Sequence, residues 1–174
     1  NNDRPGIMLS SAVKKYADFY GVVTGQKNIF FTNNDTAYES AISLNKKGIK
    51  VEAIIDIREQ SNTAFTKEAE NLGIKVYRSH TVVNTEGYKK INKVTIMKLS
   101  RDGQSFANQE KINLDCDCLA IAGGWTPAVH LFTQSGGKLK FRDEDQVFIP
   151  NKYPSDQIST VSYTHLRAHE TEEN

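Results

Sequence analysis

The sequence predicts an α/β fold in which a parallel sheet, layered with helices, carries an antiparallel β-meander. Three observations predict it. Ile29-Phe30-Phe31, a short apolar run without alternation, and Val51 to Ile57, read as the next buried strand, flank a stretch of helical periodicity, as strands joined by a crossover helix do. Between Thr81 and Leu114 the pattern switches to alternation in three segments, as half-exposed antiparallel strands show. A final apolar run, Cys118 to Ala122, stops at Gly123 and Gly124, with Trp125, Thr126 and Pro127 after them. A βαβαβ half, a meander and a closing strand ending in glycines is a plan shared by flavin- and pyridine-nucleotide-linked oxidoreductases, a Rossmann-like three-layer arrangement.

The elements follow in order. Residues 1–8, with Arg4, Pro5 and Gly6, have no periodicity and read as a connection from an upstream region; the lack of an initiator methionine fits a fragment. Ser10 or Ser11 is placed to cap the helix that follows, because a serine hydroxyl accepts from an unpaired amide two or three residues on. Ala12, Val13, Tyr16, Ala17 and Tyr20 recur at helical spacing, and Gly21 ends the run. A second helix is expected from Thr36 to about Lys47, with Ala37, Ala41, Ile42 and Leu44 inward and Gly48 closing it. Asn62 or Thr63 caps a third, whose Phe65, Ala69 and Leu72 share a face, before a strand at Ile74 to Tyr77. Strands at Thr81 to Glu86, Lys93 to Leu99 and Gln109 to Leu114 form the meander, with Asp102-Gly103 as a hairpin turn. Two extended segments, Ser135 to Phe141 and Gln146 to Pro150, surround an acidic turn.

Composition narrows the classes. With 174 residues and 38% apolar residues, the chain supports one globular domain with a core plus ragged ends. Twenty-two basic against 21 acidic side chains give no broad field that would recommend nucleic acid or an anionic membrane as partner. No signal peptide and no apolar run of spanning length is present, so the expected location is the cytoplasm. Cys116 and Cys118 alternate on what reads as one strand, which would aim both thiols at one face as a buried free pair. No metal site is expected.

The stretch Asn28 to Asp56 has the layout of a dinucleotide-binding βαβ unit, with an acid closing its second strand. Its turn departs from that role. Thr32, Asn33, Asn34, Asp35 and Thr36 stand where glycines would cradle a phosphate, and a carboxylate at the mouth of a helix repels a pyrophosphate.

Asn2 to Leu9, Phe31 to Asp35, Ala122 to Leu131 and Ser135 to Leu139 together resemble the α subunit of heterotetrameric sarcosine oxidase. The resemblance runs from about residue 1 to about residue 157 and covers an internal piece of that subunit. It implies a flavoenzyme complex that oxidatively demethylates sarcosine to glycine, passing the methyl carbon to tetrahydrofolate and electrons to oxygen as hydrogen peroxide. It further implies NAD held mainly by residues outside this chain, FAD and FMN in the complex, and other sarcosine oxidase subunits, β above all, as partners. On this basis residues 1–24 belong with an upstream nucleotide-binding domain. Residues 25–122 form a Rossmann-like NAD(P)-type domain, mainly the second domain of a two-domain FAD/NAD(P)-binding fold. Residues 123–157 return to the first, and 158–174 are a disordered, non-native tail in which His165 and His169 carry no role. A related opine- or proline-type dehydrogenase subunit shares this plan, and a nucleotide-free interaction module is the alternative from another class.

The candidate residues follow from both readings. Gly123 and Gly124 let the backbone approach a cofactor or a crossing strand, and Pro127 fixes the next turn; the resemblance makes this the segment for nucleotide contact. Trp125 accompanies them, although an indole beside glycines more often packs a domain interface. Asn33 and Asn34 tolerate left-handed backbone angles that would expose amides to a ligand, but capping of the helix by Asp35 is favoured. Asp56 lies about twenty residues past the turn, where a ribose-binding carboxylate belongs; lacking glycines, the turn favours an exposed acid ending a strand. Arg4 and Arg58 are single loop arginines expected to face water, and His130 is a surface or interface group. No catalytic residue is expected.

Overall fold

The computed structural model describes residues 3–144 and 147–153; the expected tail at 158–174 lies outside the described residues. Two units are present, Asn1–Gly124 and Trp125–Asn174. The first contains strands β1 (Ile7–Leu9), β2 (Asn28–Thr32), β3 (Val51–Asp56), β4 (Lys75–Arg78), β5 (His80–Glu86), β6 (Lys93–Leu99), β7 (Phe106–Asp115) and β8 (Cys118–Ala122). Its helices are α1 (Ser10–Tyr20), α2 (Thr36–Lys46) and α3 (Ala64–Asn71).

Five parallel strands form one sheet in the order β1-β8-β2-β3-β4, and β5-β6-β7 form the antiparallel meander. All three helices cover one face of the parallel sheet. There Val13, Phe30, Tyr38, Leu44, Ile54 and Ala69 belong to one buried cluster. The meander covers the other face, where Ile29, Ile55, Val94, Ile96 and Leu119 form a second. Alternation along β2 sends Ile29 and Phe30 into different cores, which is why the strand reads as continuously apolar. Burying each such side chain stabilises the fold by about 2 kcal/mol. The three layers and the meander are thus those the sequence predicts.

Several local expectations are corrected. Residues 7–9 form β1 rather than a connection, because Ile7, Met8 and Leu9 find β8 to pair with only after long chain separation. Neither Ser10 nor Ser11 caps α1; the helix begins at Ser10, with Leu9 before it and no side-chain cap. In α1 only Val13 and Ser10 are buried, while Tyr16 and Tyr20 stand on an exposed flank. In α3 Thr66 and Ala69 turn inward and Phe65 and Leu72 are left partly in solvent. Thr63 caps α3 as expected, its hydroxyl accepting from the Thr66 amide at 3.4 Å. Cys116 and Cys118 do not share a face. The chain leaves β7 at Asp115 and enters β8 at Cys118, so Cys116 joins the meander-side core and Cys118 the helix-side core. Burial pushes the Cys116 thiol up to about 12 and raises that of Cys118, which keeps both neutral and inert.

Where β4 gives way to β5, Ser79 has φ 53°, the one left-handed non-glycine among the described residues. Its amide donates to the Arg58 carbonyl at 3.1 Å and its carbonyl accepts from the Leu99 amide at 2.6 Å, so tertiary bonds impose the conformation. Ser79→Gly is expected to stabilise the fold by about 0.5–1 kcal/mol, the relief of left-handed strain less the added chain entropy of glycine. A urea midpoint no higher than that of the parent would show the turn to be unstrained.

The second unit holds α4 (His130–Gln134), which the sequence reading did not anticipate, and the antiparallel pair β9 (Lys138–Arg142) and β10 (Val147–Lys152). Phe141 and Phe148 are register partners whose rings meet edge to face at 5.1 Å.

Candidate functional site

A parallel α/β sheet binds ligands beyond the carboxyl ends of its strands, where the crossovers diverge. In this chain that point lies between β2, whose crossover runs through α2 to β3, and β8, which arrives from the meander on the other face. Thr32 to Thr36, Asp56 to Arg58 and Gly123 with Gly124 end there.

The β2–α2 turn is tied up by its own side chains. Thr32 Oγ1 donates to the Asn34 carbonyl at 2.7 Å and accepts from the Asn34 amide at 3.0 Å. Asn34 Oδ1 accepts from the Thr36 amide at 3.0 Å and from Thr36 Oγ1 at 2.5 Å. Asn34 Nδ2 donates to Asn33 Oδ1 at 2.8 Å and to the Gly123 carbonyl at 2.5 Å. Asn34 therefore caps α2 and bridges β2 to β8, using its whole hydrogen-bonding capacity. Neither Asn33 nor Asn34 has a positive φ, so the left-handed exposure of amides that asparagine tolerates does not occur. Nor does Asp35 cap the helix: it makes no side-chain cap bond and instead accepts from Arg58 Nη2 at 2.7 Å. Asparagine two residues before Thr36 reaches its amide while the neighbouring carboxylate is drawn off by a guanidinium. Asn34→Ala is expected to cost about 2 kcal/mol, a lost cap plus a lost interstrand bond, read as a lower urea midpoint.

Asp56 is fully buried rather than exposed. The Tyr38 hydroxyl donates to its Oδ2 at 2.8 Å. Arg58 donates from Nε to Oδ1 at 3.0 Å and from Nη2 to Oδ2 at 2.8 Å, and the Arg58 amide reaches Oδ1 at 2.9 Å. A buried carboxylate is stable only with such partners. Arg58, expected in water, is instead a fork between Asp56 and Asp35, and hydrogen bonding to Asp56 raises its pKa further. Burial pushes the Tyr38 phenol up to about 12. Tyr38 lies outside the residues expected at the site; its position between Ala37 and Ala41 on the inward face of α2 is the signal that marks it. Arg4 also has a partner, donating from Nη1 to Thr85 Oγ1 at 3.1 Å.

Gly123 and Gly124 are exposed, and a Cβ on either would meet nothing within 4 Å, so no crossing strand among the described residues requires glycine there. Trp125 is 60% exposed, Pro127 is half-buried and His130 opens α4; all three belong to the second unit. The structure thus brings Asn33, Asn34, Asp56 and Gly123 to one end of the sheet, together with Tyr38 and Arg58.

The groups of the β2–α2 turn and of Asp56 that a dinucleotide would use are already bonded within the chain. The first free amide of α2 is occupied by Asn34, the Asp35 carboxylate stands beside it, and both oxygens of the would-be ribose acceptor are committed to Tyr38 and Arg58. Among the described residues there is no cluster of three or more potential metal ligands, and no helix long and apolar enough to cross a membrane.

Comparison with known proteins identifies relatives of the chain. No protein-family model matches it. It is 36% identical over 168 residues to the sarcosine oxidase subunit alpha of Corynebacterium sp. (strain P-1), covering 95% of this chain and 17% of that protein. It is 32% identical over 148 residues to the sarcosine oxidase subunit alpha of Rhizobium meliloti (strain 1021), covering 85% of this chain and 14% of that protein. The chain therefore spans only a small part of the length of the relatives it matches. Among solved structures it is similar to T. acidophilum thioredoxin reductase, with a TM-score of 0.59 and 20% identity over 78% of this chain and 41% of that one. A FAD-dependent pyridine nucleotide-disulphide oxidoreductase from Desulfovibrio vulgaris gives 0.55 and 18%, over 84% and 40%. These likenesses show the fold alone, an α/β arrangement shared with those two proteins.

Proposed function

As a relative of sarcosine oxidase alpha subunits along nearly its whole length, the chain is, we propose, a non-catalytic segment of such a subunit. It supports dinucleotide binding and subunit assembly in a flavoenzyme complex that oxidatively demethylates sarcosine to glycine, with tetrahydrofolate and oxygen as co-substrates. The collinear identity over 95% of the chain carries this reading. The committed side chains at the sheet end support its second half. With Asn34 bonded to Thr36 and Gly123, and Asp56 to Tyr38 and Arg58, NAD is held mainly by residues outside this chain, and FAD and FMN belong to the complex with the β subunit.

Gly123, Gly124, Trp125 and Pro127 are the segment assigned to touch that nucleotide. The free space around both glycines supports it, since their smallness answers no need among the described residues. Residues 123–157 serve as the return to the first domain. A two-stranded hairpin is marginal in water, and β9–β10 leaves Phe141 and Phe148 45% and 52% exposed, as a ribbon completed by further protein would.

The test is to express the full-length gene with its neighbours and assay sarcosine-dependent hydrogen peroxide formation, expected at a rate that falls to background without the β subunit. A flavin-loaded complex that ignores sarcosine would remove the substrate assignment. Titrating this chain with NAD is expected to give no binding at micromolar concentrations; saturation there would overturn its supporting role.

A further inference from the structure

Resting on the reading that the chain is one segment of a longer subunit, we propose that the β1 edge of the sheet and the adjoining flank of α1 are covered by another part of the same polypeptide. The two edges of the parallel sheet are built differently. At β4 the edge carries Lys75, stacked over the Tyr77 ring, and Arg78, paired with Glu70; such cations keep an edge strand from pairing with other chains. At β1 the edge is Ile7-Met8-Leu9, without a charge, and Leu9 is 64% exposed.

Above that edge lies α1, which packs on β1, β8 and α2. Val13 and Ala17 face the core. One flank is fastened to α2 through Lys14 with Glu39 at 2.7 Å and Lys47 with Asp18 at 2.5 Å. By helical spacing Tyr16, Phe19 and Tyr20 fall on the other flank, where α1 has no neighbouring helix among the described residues. Their rings touch, Tyr16 to Tyr20 at 5.8 Å and Phe19 to Tyr20 at 5.0 Å, and they are 43%, 76% and 58% exposed. On the opposite face of the same edge, Ile7, Phe31, Val83, Leu119 and Ile121, with Asn84 and Thr85 at one side, line a mainly apolar open crevice of about 230 Å³, where the ladder of β5 slips its register around Val83. Apolar surface therefore wraps the β1 edge from both sides. Soluble proteins seldom leave such a patch in water.

The occupant follows from chemistry and length. Tyr16, Phe19, Tyr20 and Leu9 offer no ionised group by which a charged partner that comes and goes could be selected. The relative that matches 95% of this chain devotes only 17% of its own length to the match, so most of such a polypeptide is tethered nearby at high effective concentration.

A photoreactive benzoylphenylalanine placed at Phe19 in the full-length subunit, expressed with its partner subunits, tests this, with the exposed Lys67 on α3 as control site. Crosslinking at position 19 is expected to exceed that at position 67 severalfold, with the captured peptide from the same polypeptide and outside these 174 residues. Equal yields, or a peptide from another subunit or a second copy, would overturn the proposal. Peroxide formation by the same preparation reports separately on the sarcosine reading. An intramolecular crosslink in a complex inert to sarcosine would sink the substrate and spare the covered edge.

Discussion

Asp56→Ala is expected to lower the unfolding free energy by about 3 kcal/mol, the loss that follows when one partner of a buried ionic group is removed. The carboxylate is fully buried and accepts from Tyr38, from two nitrogens of the Arg58 guanidinium and from the Arg58 amide. Alanine leaves the buried phenol without an acceptor and opens a void beside β3. The guanidinium keeps Asp35 and is partly in solvent, which holds the cost near the lower end of the range for buried pairs. Asp56→Asn retains an acceptor for Tyr38 and is expected to cost about half as much. Urea denaturation of the three proteins measures both; a loss under about 1 kcal/mol for the alanine variant would place Asp56 with ordinary surface acids.

The second large effect is alkaline. The Tyr38 phenol, ordinarily near 10.0, is pushed up to about 12 by burial. Between those values the folded chain retains a proton that the unfolded chain has released. Folding therefore binds protons in that window, and the contribution of Tyr38 is complete below pH 10 and disappears as the pH climbs through 12. Its size is about 2–3 kcal/mol. Cys116, raised by burial from 9.0 to about 12, adds a loss of the same sign. Tyr38→Phe isolates the tyrosine, since it deletes one alkaline transition and leaves the other. Urea midpoints measured from pH 9 to 12 should fall more steeply for the parent than for the variant; parallel curves would contradict the burial argument.

The layers were legible in the sequence because they rest on periodicity. Ile29-Phe30-Phe31 and Ala53-Ile54-Ile55 are apolar at every position, since each side of the sheet has its own core. The meander was legible because its outer face is wet. The three-residue β1 escaped notice because its pairing with residues 119–121 is non-local, and nothing in Ile7-Met8-Leu9 by itself distinguishes an edge strand from a linker. At the candidate site, the want of glycines from Thr32 to Thr36 was readable, because it is a matter of residue type alone. What could not be read was which side chain would fill the space. The choice of Asn34 over Asp35 as cap depends on Arg58, and the burial of Asp56 depends on Tyr38, contacts across 23 and 18 residues of sequence.

β8 lies between two strands that are consecutive in the chain, β1 and β2. As the polypeptide emerges from a ribosome, β2 and β3 can zip together early, but β1 and α1 have no strand to rest on until residues 118–122 appear and slide into the slot. Such wedge-last assembly closes a long loop in a late step, which makes maturation slow and leaves the N-terminal aromatic helix open to wrong associations while it waits. A break of the chain between the meander and Cys118 would take from β1 the strand it pairs with, leaving α1 held by α2 alone.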